Sequence, residues 1–339
     1  MYIGIAPLRI SFAGGGTDQP EFYEKYNGNV ICTTINRFTY VVVHKRFDKS
    51  FQTFSPDFQK HYRPTEFKKI EIEDGVEIAA SIVKFLKFKK GVDIVLQSDV
   101  PAGSGLGASS SLAVNLVNTL LYLQKKKYSD KKIAETCFEI ERKILKWPMG
   151  KQDEYITSIG GFQNIEFKTN KVNVKPISMN KKSLLELQNN LLLFFVGKTR
   201  DSAKLLSSQL KKAKTGNKKT IESLHKVKQF AAEMNESLQN SDLNNFGDLL
   251  HKGWMAKRNF TEGISNKKID KIYDLSRKLG ASGGKLTGAG GGGHLLLYCE
   301  KQKQKKLISK MKKLGLTHID FKFYNKGPKI LDLYKDLGI

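Results

Sequence analysis

The sequence predicts an α+β fold that is divided into two domains. Its 339 residues exceed the length of most single domains. A polar, lysine-rich segment at Met179–Asn190 separates two regions that both contain apolar strands and helices. Beyond this segment the predicted order is strand, helices, strand, strand, helix, strand, which is a split βαβ pattern. We therefore place an N-terminal domain at residues 1–180 and a C-terminal domain at residues 190–339.

The elements of the first domain follow from its apolar periodicity. Alternating and β-branched runs predict strands at Tyr2–Ala6, Leu8–Ala13, Val30–Ile35, Thr39–Lys45, Val92–Leu96, Phe162–Phe167 and Lys171–Pro176. Helical spacing predicts helices at Pro20–Tyr26, Val76–Phe88, Ser109–Leu123 and Lys131–Lys146, with a further short element at Gly150–Ser158.

The second domain is richer in helices. Strands are predicted at Leu191–Val196, Ser282–Leu286, His294–Cys299 and Thr317–Phe323. Long helical patterns cover Ser202–Lys212, Lys218–Gln239, Leu243–Phe260, Lys267–Leu279 and Lys301–Leu314.

Composition excludes several classes of protein. Hydrophobic residues make up 40% of the chain, and no run of about 18 apolar residues predicts a membrane span. The N-terminus lacks a basic segment followed by an apolar one, so no signal peptide is expected. Cys32, Cys137 and Cys299 have no paired spacing and the histidines are dispersed. These patterns indicate a cytoplasmic protein without a dedicated zinc site.

A formal charge of +25 raises the question of a nucleic-acid or membrane-surface partner. The excess is nearly all lysine, and it is spread over surface segments such as Lys125–Lys127, Lys211–Lys219 and Lys301–Lys313. Base readout and stacking favour arginine and exposed aromatic residues instead. We expect a solvated lysine-rich surface with no specific nucleic-acid partner and no membrane partner.

The stretch Pro101–Ser111 is the strongest candidate for an anion site. It reads PAGSGLGASSS, follows the strand at Val92–Leu96 and opens the helix at Ser109–Leu123. Glycines let the backbone approach a ligand, and the amides at a helix N-terminus point towards it. The stretch lacks the lysine of a Walker A motif, and the second strand required of a dinucleotide site is missing. A nucleotide phosphate site and a glycine-rich connection without a ligand remain as interpretations.

Two further glycine clusters lie at element ends. Gly288–Gly293 contains five glycines within six residues, between two predicted strands. Such a cluster lowers stability unless a ligand or a close backbone requires the space, although a bulged hairpin is an alternative. Gly14–Asp18 adds a carboxylate at the end of the first strands. Together with Pro101–Ser111, Gly288–Gly293 is expected to form two sides of one polyanion cradle.

Taken in order, Leu8–Asp18, Pro101–Ser111 and Lys285–Gly293 resemble the three motifs of the GHMP small-molecule kinases. This superfamily includes galactokinase, homoserine kinase, mevalonate kinase and phosphomevalonate kinase. Within it, Gly14–Asp18, Gly150–Tyr155 and the start of the third motif are most similar to the bacterial heptose 7-phosphate kinases. The resemblance implies an N-terminal lobe of the ribosomal-protein type and a ferredoxin-like C-terminal lobe.

The resemblance also implies an ATP site and a magnesium site. The nucleotide loop comprises Pro101, Ala102, Gly103, Ser104, Gly105, Leu106, Gly107, Ala108, Ser109 and Ser110. Ser110 and Glu141 match the hard-oxygen metal ligands of the family, with Glu139 as a rival on the opposite helix side.

By the same resemblance, Asp153 matches the catalytic base and Arg9 the cation of the first motif. A fork of guanidinium donors would hold Asp153 ionised and stabilise developing charge. A helix-capping aspartate is the structural alternative for Asp153.

Residues for the acceptor substrate also follow from the resemblance. Asp18 matches a sugar-hydroxyl ligand, and Arg200 is suited to an anionic group of the substrate or to an ordinary salt bridge. The other candidates for substrate binding are Gly15, Gly16, Thr17 and Gly290.

The implied function is an ATP- and magnesium-dependent kinase that phosphorylates the anomeric hydroxyl of a heptose 7-phosphate. A neutral-sugar anomeric kinase, such as a fucokinase or galactokinase, is the first alternative. A non-catalytic nucleotide- or nucleic-acid-binding protein is the second, and a residue suited to be a base argues against it. The oligomeric state is open, with a homodimer among the possibilities.

Overall fold

The computed structural model describes residues 1–56, 59–72, 75–197 and 202–338. The strands are β1 (Tyr2–Ala13), β2 (Gly28–Lys45), β3 (Ser50–Ser55), β4 (Lys60–Glu66), β5 (Val92–Ser98), β6 (Phe162–Lys168), β7 (Lys171–Pro176), β8 (Leu191–Phe195), β9 (Ala281–Leu286), β10 (His294–Cys299), β11 (Thr317–Ile319) and β12 (Lys329–Asp332).

The helices alternate with these strands. They are α1 (Pro20–Tyr26), α2 (Glu77–Phe85), α3 (Ala108–Leu123), α4 (Asp130–Glu139), α5 (Gln152–Ile159), α6 (Lys181–Asn190), α7 (Ser202–Lys214), α8 (Lys218–Gln239), α9 (Leu243–Lys257), α10 (Lys267–Lys278), α11 (Lys301–Lys313) and α12 (Leu333–Asp336). A π-helical turn at Ile140–Ile144 continues α4.

The first sheet is built around the long strands β1 and β2, where the sequence predicted two short strands each. They pair antiparallel along most of their length, with a register shift between Pro7 and Leu8. Pro7 is tolerated inside β1 because the pairing with β12 on the other side ends at Ile5, so no ladder bond is lost there. β2 then pairs with β5 through one half and with β6 through the other.

The second sheet confirms the split βαβ prediction. Its strand order is β11-β8-β10-β9, and its chain order is β8, helices α7–α10, β9, β10, α11, β11. This is the ferredoxin-like arrangement. The α+β fold class with two lobes is therefore confirmed. The chain returns to the first sheet at its end, where β12 pairs with β1.

The segment Met179–Asn190 is not a linker as predicted, since it contains the helix α6. Its lysine, leucine and glutamate residues are strong helix formers. The side chain of Asn180 caps the helix by accepting a hydrogen bond from the Ser183 amide at 2.8 Å. Leu187 is fully buried, so this helix packs on the core.

A shared apolar core joins the two lobes. Leu8, Ile10 and Phe12 on β1 pack in one cluster with Leu193 on β8 and Leu296 on β10. Arg9 alternates with these residues along β1, so its side chain lies on the opposite face of the strand. Arg9 therefore points away from this shared core, towards Asp153 in the first turn of α5.

Candidate active site

A cavity lies where the two lobes meet, and both lobes contribute polar residues to it. Its walls are Arg9, Ser11, Gly15, Gly16, Asp18, Gln19, Met149, Gly150, Gln152, Asp153, Leu206, Gln209, Lys257, Lys285, Gly288 and Ala289. Parts of all three sequence motifs therefore line one space. Arginine, lysine and aspartate side chains share this space, which suits an anionic ligand near a carboxylate.

Arg9 and Asp153 form a bidentate ion pair in the cavity wall. Arg9 Nε and Nη2 donate to the two carboxylate oxygens at 2.7 and 2.5 Å. Arg9 Nη1 donates to the Gly105 carbonyl at 2.6 Å. Burial lowers the pKa of Arg9, but the adjacent Asp153 carboxylate outweighs it and raises that pKa above its ordinary value. The predicted contact is confirmed, and it ties the carboxylate to the nucleotide loop.

Asp153 belongs to the first turn of α5, and it remains accessible from the cavity. Its side chain is 17% exposed, whereas that of Arg9 is 5% exposed. Lys151 precedes the helix and donates to Glu135 at 2.8 Å, which anchors this turn to α4. A partly exposed carboxylate beside a buried guanidinium can accept a proton from a bound hydroxyl.

Asp18 closes a turn and caps a helix. One carboxylate oxygen accepts from the Gly16 amide at 2.8 Å, and the other from the Gln152 amide at 3.2 Å. Burial and the nearby Asp153 raise the pKa of Asp18. A carboxylate has about four acceptor positions, so two remain for a ligand. The Thr17 hydroxyl donates to the Gly14 carbonyl inside the turn, and its role in substrate binding stays a prediction.

The nucleotide loop and the third glycine cluster pack backbone against backbone. A Cβ on Gly288 would lie 2.5 Å from Gly105 Cα, and a Cβ on Gly293 would lie 2.4 Å from the Ser104 carbonyl oxygen. Gly107, at φ +78°, leads into α3 and rests on the Arg9 side chain. Close backbone approach explains Gly288 and Gly293, so the expected two-sided arrangement is present.

Gly288→Ala is expected to destabilise the protein by about 1–3 kcal/mol and to weaken nucleotide binding, because the added carbon displaces the Gly105 backbone. Chemical denaturation and nucleotide titration measure the two effects. Gly216→Ala is the matched control, since Gly216 also has a positive φ, +71°, but a Cβ there meets nothing within 4 Å. Equal effects in both variants would show that backbone strain, rather than loop packing, requires glycine.

The predicted metal ligands converge beneath the start of α3. The Ser110 hydroxyl lies 3.3 Å from Glu141 Oε1 and 3.5 Å from Glu154 Oε1. Burial raises the pKa of Glu141 to about 7, and it also raises the pKa of Glu154. Oε2 of each glutamate is buried without a hydrogen-bond partner among the described residues. This buried set of hard oxygens fits a small divalent cation.

Burial favours Glu141 over Glu139 as the inward-facing glutamate. Glu141 is fully buried, whereas Glu139 lies at the surface and pairs with Lys143 at 3.1 Å. The π-helical turn begins between them. Glu154 was not singled out in the sequence, although buried Tyr155 and Ile156 follow it in α5. Its place next to this apolar pair is the sequence feature that could have indicated a buried glutamate.

Lys257 and Lys285 bring two more buried cations to the cavity. Lys285 Nζ donates to the Ser11 and Phe12 carbonyls at 2.8 and 3.1 Å, which links the lobes. Lys257 Nζ donates to the Gly288 carbonyl in the third glycine cluster. In the sequence, Lys257 follows Leu250 and Trp254 at i+7 and i+3, so it continues the apolar stripe of α9. This position was the signal for an inward-facing lysine.

Two predicted substrate residues are not part of this geometry. Gly290 packs against Ile264, where a Cβ would lie 2.8 Å from the Ile264 carbonyl oxygen. Its role in substrate binding stays a prediction. Arg200 lies outside the described residues. Gly15 and Gly16 line the cavity beside Asp18, as their predicted role requires.

Other findings bear on the expected partners. Cys32, Cys137 and Cys299 are free and buried. Within the described ranges, no helix is long and apolar enough to cross a membrane.

Comparison with known proteins identifies the family. The GHMP kinases N terminal domain matches residues 76–161, and the GHMP kinases C terminal domain matches residues 234–316. The chain is 34% identical over 330 residues to the D-glycero-alpha-D-manno-heptose 7-phosphate kinase of Campylobacter jejuni, covering 95% of this chain and 96% of that protein. It is 26% identical to the bifunctional fucokinase/GDP-fucose pyrophosphorylase of Arabidopsis thaliana, covering 94% of this chain and 32% of the plant protein.

Solved structures agree with this comparison. The structure of a D-glycero-D-manno-heptose 1-phosphate kinase from Bacteroides thetaiotaomicron superposes with a TM-score of 0.81 at 25% identity, covering 98% of this chain and 100% of that one. The three sequence motifs, the two-lobed fold and the similar proteins all indicate the same family. The chain therefore belongs to the GHMP kinases, and it is an ATP-dependent phosphotransferase.

Proposed function

We propose that this kinase transfers the γ-phosphoryl group of ATP to the anomeric hydroxyl of D-glycero-D-manno-heptose 7-phosphate, which gives the 1,7-bisphosphate. The near full-length relationship to a heptose 7-phosphate kinase supports the acceptor. The observation that carries the proposal is the Arg9–Asp153 pair, which places a partly exposed carboxylate in a cavity lined by both lobes.

Asp153 accepts the proton of the acceptor hydroxyl as the hydroxyl oxygen attacks the γ-phosphorus. The bond between the γ-phosphorus and the bridging oxygen breaks, and ADP leaves with that oxygen. Arg9 orients the Asp153 carboxylate because its guanidinium donates to both carboxylate oxygens. Its third donor fixes the carboxylate relative to Gly105 in the nucleotide loop. Positioning of the base and the phosphoryl donor is thus the main contribution of this pair.

We assign the phosphates of ATP to Pro101–Ser110 and magnesium to Ser110 and Glu141. When deprotonated, the buried Oε2 atoms of Glu141 and Glu154 would supply the negative charge that a divalent cation requires. A bound magnesium ion would neutralise charge on the terminal phosphates of ATP. Ser110 is in the first turn of α3 and contacts both buried glutamates, so these residues would hold a cation next to the nucleotide loop.

The acceptor sugar is assigned to the side of the cavity formed by Asp18 and three glutamines. Gln209 Nε2 donates to Gln19 Oε1 at 3.2 Å, and Gln152 Oε1 is buried without a partner among the described residues. Carboxylate and amide groups suit a ligand rich in hydroxyls. We keep Arg200 as the candidate for binding the substrate phosphate.

We also place the enzyme in the cytoplasm, where its buried thiols stay reduced.

An acceptor panel tests the proposal. Heptose 7-phosphate, the dephosphorylated heptose, fucose and galactose are each supplied with ATP and magnesium, and release of ADP is measured. We expect kcat/KM to be highest for the heptose 7-phosphate. Higher kcat/KM for fucose or galactose would favour the neutral-sugar kinase instead.

A further inference from the structure

Lys257 is a buried cation to which neither the family motifs nor the proton transfer gives a role. It ends α9 and is 8% exposed, yet it lines the cavity together with Arg9 and Asp18. Burial and the nearby Arg9 lower the pKa of Lys257 to about 8. The free protein therefore bears an unfavourable charge at this position, as expected where a cation awaits an anionic partner.

Among the described residues, Lys257 Nζ has one hydrogen-bond acceptor, which lies in the third glycine cluster. It donates to the carbonyl of Gly288, and Gly288 lies directly against Gly105 of the nucleotide loop. Gly105 in turn accepts from Arg9, which holds Asp153. An ammonium group has three donors, so the remaining two are available on the cavity side.

We propose that Lys257 binds oxygens of the γ-phosphoryl group and stabilises the charge that this group carries during transfer. Lys257 lines the same cavity as Asp153, and it contacts the Gly288 loop that packs on the nucleotide loop. Preorganised cations at a transferring phosphoryl group are a main source of rate in such enzymes. The inference rests on phosphoryl transfer from ATP and does not depend on which sugar is the acceptor.

A structural role predicts different behaviour from a catalytic one. If Lys257 only fixed the Gly288 loop, its removal would lower the melting temperature and would weaken the binding of all nucleotides equally. If it binds the γ-phosphoryl group, removing a buried charge leaves the ligand-free melting temperature unchanged or higher. Discrimination between ATP and ADP is lost at the same time.

Lys257→Met tests this, because methionine keeps most of the side-chain length and removes the charge. We expect kcat to fall about 10²–10³-fold, with KM for the acceptor changed by less than about threefold. The affinity of a non-hydrolysable ATP analogue should fall towards that of ADP, measured by calorimetry. Lys252→Met is the control, since Lys252 lies exposed on the same helix and loses the same charge.

Two results would overturn the inference. One is a lower melting temperature of Lys257→Met together with equal losses of ADP and analogue affinity, which would make the lysine a loop anchor. The other is an unchanged kcat with a raised KM for the acceptor, which would place the lysine at the sugar. The calorimetric and thermal readouts need no acceptor, so they remain decisive even if heptose 7-phosphate is not the substrate.

Discussion

Asp153→Ala is expected to lower kcat by about 10²–10⁴ while nucleotide affinity changes only slightly. The carboxylate lies in the cavity beside Arg9, and the nucleotide loop is held by glycine packing that this substitution leaves intact. Steady-state kinetics with saturating acceptor and calorimetry with ADP separate the two quantities. The kcat of Asp153→Asn should fall by a similar factor, because the amide keeps the shape of the side chain but cannot accept the proton as a carboxylate does.

Asp93→Ala is the matched control for this variant. Asp93 also pairs with an arginine, Arg46, at 2.8 Å, but it lies at the surface away from the cavity. We expect kcat of Asp93→Ala to match that of the parent enzyme. An unchanged kcat in Asp153→Ala would remove this residue from catalysis.

Arg9→Lys should lower kcat by about 10²–10³, the loss typical of one preorganised donor at a charged transition state. A lysine keeps the charge but lacks the fork that contacts both oxygens of Asp153 and the Gly105 carbonyl. Because Arg9 acts through Asp153, the double variant Arg9→Lys/Asp153→Asn should be little worse than Asp153→Asn alone. Kinetic measurement of the three variants gives this cycle.

Arg46→Lys serves as the control, since Arg46 forms a bidentate pair with Asp48 at the surface. Additive losses in the Arg9 and Asp153 variants would mean that the two residues act independently. In that case the ion pair is structural, and the charge on Arg9 acts on a ligand by itself.

Much of the site lies in contiguous motifs, which is why the sequence predicted it. Gly105 and Gly288 are marked by glycine density, and Asp153 is a carboxylate close to Gly150. The contact between Arg9 and Asp153 spans 144 positions, and it was expected only because the family motifs imply it. The structure adds the distances and shows that Arg9 also holds the nucleotide loop.

Other features depend on packing between distant parts of the chain, which local patterns do not encode. Lys257 reaches the cavity only because the apolar stripe of α9 packs on the second sheet. Glu154 becomes a partner of Ser110 because α5 packs against α3. The strands β3 and β4 received no sequence assignment, since polar and charged residues interrupt their apolar pattern.

Product identification tests the central claim most directly. The purified enzyme is incubated with ATP, magnesium and D-glycero-D-manno-heptose 7-phosphate, and the product is examined by ³¹P NMR. The account predicts a second sugar phosphate whose phosphorus couples to the anomeric proton, alongside the retained 7-phosphate. A new phosphate on any other carbon, or no transfer to this acceptor while fucose or galactose is phosphorylated, would contradict it.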